Sequence, residues 1–126
     1  MITAEQQITA WRLLLAIALA FAVTMALVPR PPQLVAVGDK WQHMAAFAAL
    51  AFLAANAYPK EPLSRVGERL AFLGAMIELL QSIPALHRDC DIMDWLADTG
   101  AIVAVLLLVA LWRRIRSGPA HPGAAI

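Results

Sequence analysis

The chain has 126 residues, 61% of them apolar and only 15% charged, and its mean hydropathy is +0.68. Soluble domains run at roughly 45–50% apolar and about 25% charged, so the composition excludes an ordinary water-soluble fold and predicts an integral membrane protein. A net charge of +1, with no basic patch interleaved with aromatics, excludes a nucleic-acid partner, and the single cysteine, Cys90, excludes an internal disulfide.

The length suits one domain. Residues 1–10 are polar and are expected to form a short cytoplasmic segment. The run 11–28, WRLLLAIALAFAVTMALV, has no charge after Arg12. At 1.5 Å per residue it reaches about 27 Å, close to the hydrocarbon thickness of a bilayer. A signal peptide is the rival reading, but the run is long for one, and Pro29-Arg30-Pro31-Pro32 stands where a small-residue cleavage pattern would be. An uncleaved first transmembrane helix is expected. The prolines end it, because they lack a donor and push the preceding residue into extended backbone.

A second, alanine-rich helix is expected over 41–58, where small side chains let neighbouring backbones approach. Pro59-Lys60-Glu61-Pro62 reads as a turn and 64–69 as a polar lead-in. The third helix is expected over about 67–84, ended or kinked by Pro84, and the fourth over 92–112, stopped by Arg113, Arg114 and Arg116. Together, 11–112 make a single four-helix membrane domain. The basic, Gly/Pro/Ala-rich tail 113–126 is expected to be disordered in the cytoplasm. Trp11, Trp41, Trp95 and Trp112 fall near helix ends, as an interfacial aromatic belt requires.

Basic residues set the orientation. Arg12, Lys60, Arg65, Arg69, Arg113, Arg114 and Arg116, seven of the ten, lie on one side, and Arg30, Lys40 and Arg88 lie on the other. The positive-inside rule then predicts an all-α protein with four transmembrane helices and both termini cytoplasmic. Six of the nine acidic residues (Asp39, Glu78, Asp89, Asp91, Asp94 and Asp98) fall at the outer end.

Spacing groups these polar residues. Asp39, His43 and Phe47 follow one helical face, as do Gly74, Glu78 and Gln81, and Asp91, Asp94 and Asp98. A carboxylate facing lipid costs at least ~2.5 kcal/mol on insertion scales, so the three stripes are expected to turn inward. Gly74 and Gly100 are expected at close contacts. His43 with Glu78, Asp91 and Asp94 has the donor types of a divalent-cation site, but no zinc-type spacing such as HExxH is present, and neither a metal nor another cofactor is expected. Ser82 and Cys90 lack a base and an orienting partner, so no nucleophile is expected. His87 reads as a solvated loop residue.

At these residues the chain resembles the VanZ-like family of small bacterial membrane proteins. The resemblance rests on G-D-K-x-x-H-x-x-x-F at 38–47, I-E-L-L-Q at 77–81, and R-x5-D-W-L-A-D-x-G at 88–100, about half of the chain. It implies a site made of Asp39, Lys40, His43, Glu78, Gln81, Arg88 and Asp94. Members usually carry asparagine where Asp98 stands, with the next glycine one residue further on, so the resemblance assigns Asp98 no role. The founding member is associated with teicoplanin resistance. The resemblance implies a protein of the bacterial cytoplasmic membrane and cell envelope.

Two readings of the cluster follow. It binds a lipid headgroup or lipid-linked envelope precursor, with Arg88 and Lys40 on an anionic group and Glu78 and His43 as proton carriers if chemistry occurs. Alternatively, it staples helices or docks a larger membrane partner. Binding rather than catalysis is expected of either. A proton-coupled transporter is the weakest reading, because the cytoplasmic half has no polar path and no inverted repeat.

Overall fold

The computed structural model describes residues 1–28, 39–86 and 91–119; the side chains of Asp39 and Leu86 are excepted. These residues form four α-helices and one short 3₁₀ turn: α1 (Ala4–Leu27), α2 (Asp39–Ala57), α3 (Leu63–Gln81), the turn at Pro84–Leu86, and α4 (Ile92–Ser117). No strand is present among them.

The helices run up and down alternately, as contacts at their ends require. Arg12 near the start of α1 and Arg113 near the end of α4 both reach the last carbonyls of α2, those of Ala57 (3.1 Å) and Ala55 (2.7 Å). At the opposite end, Gln81 closing α3 reaches Ala26 of α1, and Glu78 meets Asp91 at the start of α4. Neighbours go round the bundle in the order α1, α2, α4, α3, and the α2–α4 interface is the most extensive. The expected arrangement of ends is therefore present. Arg12 and Arg113 thus cap α2, where a guanidinium satisfies orphan carbonyls and the negative end of the helix dipole. Arg12 additionally lies over the Tyr58 ring at 4.7 Å.

The interior combines alanines with larger apolar side chains: Ala51, Ala55 and Ala57 are fully buried, alongside Leu50, Phe47, Val66, Ile77, Ile102 and Leu106. The outside is also rich in large apolar residues: Leu13, Ile17 and Phe21 on α1, Phe52 on α2, Phe72 and Leu79 on α3, and Leu107, Leu108 and Leu111 on α4. Soluble monomers rarely expose contiguous apolar area on this scale. α1 and α4 are long and apolar enough to cross a membrane. At 24 and 26 residues they reach about 36 and 39 Å.

Several boundaries differ from those expected. α1 begins at Ala4, not at residue 11, because Thr3 and Gln6 form a reciprocal capping box and the polar residues between them and Trp11 are helical. Hydropathy locates where lipid begins, whereas the cap locates where the backbone ladder begins. α3 starts at Leu63, with the amides of Arg65 and Val66 donating to the Pro62 carbonyl, so the polar lead-in is its first turn. It stops at Gln81 rather than 84, because Pro84 disfavours helical backbone at the residue before it. α4 runs through the three arginines to Ser117 and ends at Gly118, whose φ of +71° suits glycine. Residues 113–117 are thus helical and not tail, since arginine is a good helix former and is favoured in a last turn. Residues 120–126 lie outside the described residues.

Gly74 is buried, and a Cβ there would meet Trp95 Cδ1 at 3.3 Å and Phe47 Cζ at 3.4 Å. Gly100, expected at a similar contact, is exposed and meets nothing within 4 Å. The stripe that faces inward runs through Asp98 and Ile102, and Gly100 sits on the other side of the helix. Trp95 also departs from expectation. Its indole N–H donates to the Ala71 carbonyl (2.9 Å) and its ring covers Gly74, so it locks α4 to α3. Trp41 and Trp112 are exposed as anchors should be, and Trp11 packs edge-on against Phe52.

Candidate functional site

The polar end of the bundle is assembled from three helices. α2 supplies His43 one turn after its start, α3 supplies Glu78 and Gln81 in its last turn, and α4 supplies Asp98 nearly two turns in. The three side chains converge because each lies on the inward face of its helix. Glu78, Gln81 and Asp98 are all buried, and His43 is half-buried.

The residues of this end do different work. Gln81 Nε2 donates to the carbonyl of Ala26 (2.9 Å), one of the α1 carbonyls left over where that helix ends. That contact ties α3 to α1. Glu78 Oε2 accepts the Asp91 backbone N–H (3.2 Å), while the Asp91 side chain caps α4 by accepting from Met93 N–H (2.9 Å). Glu78 and Gln81 thus hold helix ends, at roughly 0.6–2 kcal/mol for each such bond inside a membrane.

His43 and Asp98 are arranged otherwise. His43 Nδ1 lies 3.9 Å from Asp98 Oδ2, beyond hydrogen-bond distance. The Asp98 side chain is 4% exposed, and its Oδ1 has no hydrogen-bond partner among the described residues. One ligand-type atom from each of His43, Glu78 and Asp98 lies within 4.8 Å of the other two. A cavity of about 20 Å³ adjoins His43 on its α1 side, lined by Ala26, Ala46, Phe47 and Ile77 among others. That volume admits a single water.

Of the seven residues expected at the site, the structure brings His43 and Glu78 together, while Gln81, one turn further along α3, is bonded to Ala26. Asp94 is half-buried in the first turn of α4, and Lys40 is exposed at the start of α2. Asp39 begins α2, but its side chain is not among those described, and Arg88 lies outside the described residues, as do Cys90, His87 and Asp89. Asp98, to which the resemblance assigns no role, is the residue that closes the group. Its signal in the sequence was its position four residues after Asp94, which puts it one turn deeper on the same face. Comparison with known proteins finds no matching family model, no matching curated protein and no matching solved structure.

Proposed function

We propose that the chain is a VanZ-like, multi-pass protein of the bacterial cytoplasmic membrane, with four spans and both termini in the cytoplasm. Its outward-facing polar cluster binds a lipid headgroup or lipid-linked envelope precursor. The observation that carries this reading is the convergence of His43, Glu78 and Asp98 inside a bundle whose outer surface carries many large apolar side chains. Asp98 in particular does no helix-joining work through Oδ1, and a buried, unsatisfied carboxylate oxygen is costly to keep for stability alone.

Four spans are supported by the outer surfaces of the two less apolar helices. α2 and α3 are 19 residues each, about 28 Å, and carry Phe52, Phe72, Met76 and Leu79 on the outside. Lipid satisfies such a surface and water does not. An open apolar groove of about 490 Å³ runs from Thr99 along α3 and α4 toward the basic end, past Gly67 and Leu106. The polar cluster and the exposed Lys40 at the start of α2 mark the end where an anionic headgroup would be held.

The reading predicts that Glu78→Gln, His43→Ala and Arg88→Lys each accumulate normally in the membrane but lose activity in a glycopeptide-susceptibility or envelope-stress assay. Loss of one charged hydrogen bond corresponds to roughly a ten- to hundredfold fall in affinity. Full activity in all three variants would sink the binding site. Lost accumulation would favour the second reading, helix stapling or docking of a membrane partner, which the Gln81–Ala26 and Glu78–Asp91 bonds support. Orientation has its own check: a reporter active only in the periplasm, fused after Ile126, stays silent. A strong signal there would reverse the bundle and move the cluster to the cytoplasmic side.

A further inference from the structure

We propose that His43, Glu78 and Asp98 form a binding site for a divalent transition-metal cation of the zinc type. The inference does not depend on the envelope reading, because it rests on the three side chains alone. It also differs from the set that spacing suggested: Asp98 takes the place of Asp91, whose carboxylate is committed to the cap of α4, and of Asp94.

Geometry comes first. One donor atom from each residue lies within 4.8 Å of the others, and the ligands of a tetrahedral site with bonds of about 2.1 Å are about 3.4 Å apart. A metal would therefore need the three atoms to close by about an ångström, within the reach of side-chain torsions. The donors come from three different helices, so an ion would clamp α2, α3 and α4 together. Three protein donors also leave a position for water or an anionic oxygen.

The second observation is the Asp98 carboxylate. It is 96% buried and faces the group, and Oδ1 has no hydrogen-bond partner among the described residues. A bare carboxylate oxygen in such surroundings lacks the pairing that buried charge requires. His43 at 3.9 Å does not provide it as a hydrogen bond.

Ligand chemistry supplies the third element: an imidazole and two carboxylates are donors that a divalent transition metal accepts. An imidazole donor selects zinc, iron, nickel or copper over magnesium and calcium, which prefer all-oxygen sets. The Asp91 N–H on Glu78 Oε2 is the kind of outer contact that orients a ligating carboxylate.

The test uses the full chain, purified in detergent without a histidine tag, stripped with a chelator, and titrated with Co²⁺ while the visible spectrum is followed. The expected result is saturable uptake of about one Co²⁺ per chain, with ligand-field bands that Zn²⁺ abolishes by competition. Asp98→Asn and His43→Ala, each shown by its elution profile to be folded, bind roughly tenfold or more weakly. His87→Ala and His121→Ala, which alter the other two histidines, bind as the parent does. Absence of saturable uptake by the parent chain overturns the proposal. So does parental affinity in a folded Asp98→Asn or His43→Ala variant, or loss of binding in His87→Ala or His121→Ala. The parent titration needs no variant, so a substitution that misfolds does not shield the proposal.

Discussion

Gly74→Leu is expected to lower the stability of the bundle by about 2–3 kcal/mol, whereas Gly100→Leu leaves it unchanged or raises it by up to about 0.8 kcal/mol. The contrast is steric. A β-carbon at Gly74 already stands 3.3 Å from Trp95 and 3.4 Å from Phe47, tighter than ordinary van der Waals contact, and a leucine adds three more carbons with nowhere to go. Trp95 cannot simply swing away, because its indole N–H is bonded to the Ala71 carbonyl. Displacing it leaves a part-buried donor and acceptor unpaired. At Gly100 there is open space in every direction, and replacing glycine within a helix recovers up to about 0.8 kcal/mol of propensity. Unfolding of the purified protein in detergent by heat or by added SDS measures both. Equal effects at the two glycines would mean that α3 and α4 do not meet at Gly74.

Truncating the two most enclosed large side chains, Leu50→Ala and Ile102→Ala, is expected to cost about 1–3 kcal/mol each. Both residues are 1% exposed, Leu50 on α2 and Ile102 on α4. In a water-soluble core such changes cost about 2–5 kcal/mol, combining lost transfer free energy with a cavity. Helices separated within a bilayer remain surrounded by hydrocarbon, so the transfer part nearly vanishes and the lost dispersion contacts remain. Leu107→Ala, on the outer face of α4 where the side chain is 65% exposed, serves as the control and is expected to change stability by less than about 0.5 kcal/mol. The same unfolding assay reads all three variants. A cost at Leu107 equal to that at Ile102 would mean that the face assigned to lipid is instead packed.

These predictions separate what was legible in the sequence from what was not. The four helices were legible because long apolar runs leave the backbone no choice but internal hydrogen bonding. The inward polar stripe of α3 was legible because Glu78 and Gln81 share a helical face, and both are buried. The first helix was too short by seven residues because apolar periodicity carries no information about a polar capped turn; Thr3 and Gln6, three apart, were the available signal. Gly74 and Gly100 looked alike on paper, since a glycine's use depends on what faces it.

The cluster divides along the same line. Residue type and helical spacing were enough to bring His43, Glu78 and Gln81 to one end of one bundle, and to place the arginines at the other. Spacing could not say which polar atoms would be used up in joining helices. Gln81 is committed to Ala26 and Glu78 to the start of α4, whereas Asp98 keeps an oxygen unpartnered among the described residues. That difference turns on distances of a few ångströms between residues 13 to 55 positions apart, set by how closely alanine-lined helices approach. The sequence by itself determined an all-helical chain with lipid-compatible surfaces and a polar end. Only the tertiary packing decided that Asp98, one turn deeper than the residues its spacing first suggested, completes the group with His43 and Glu78.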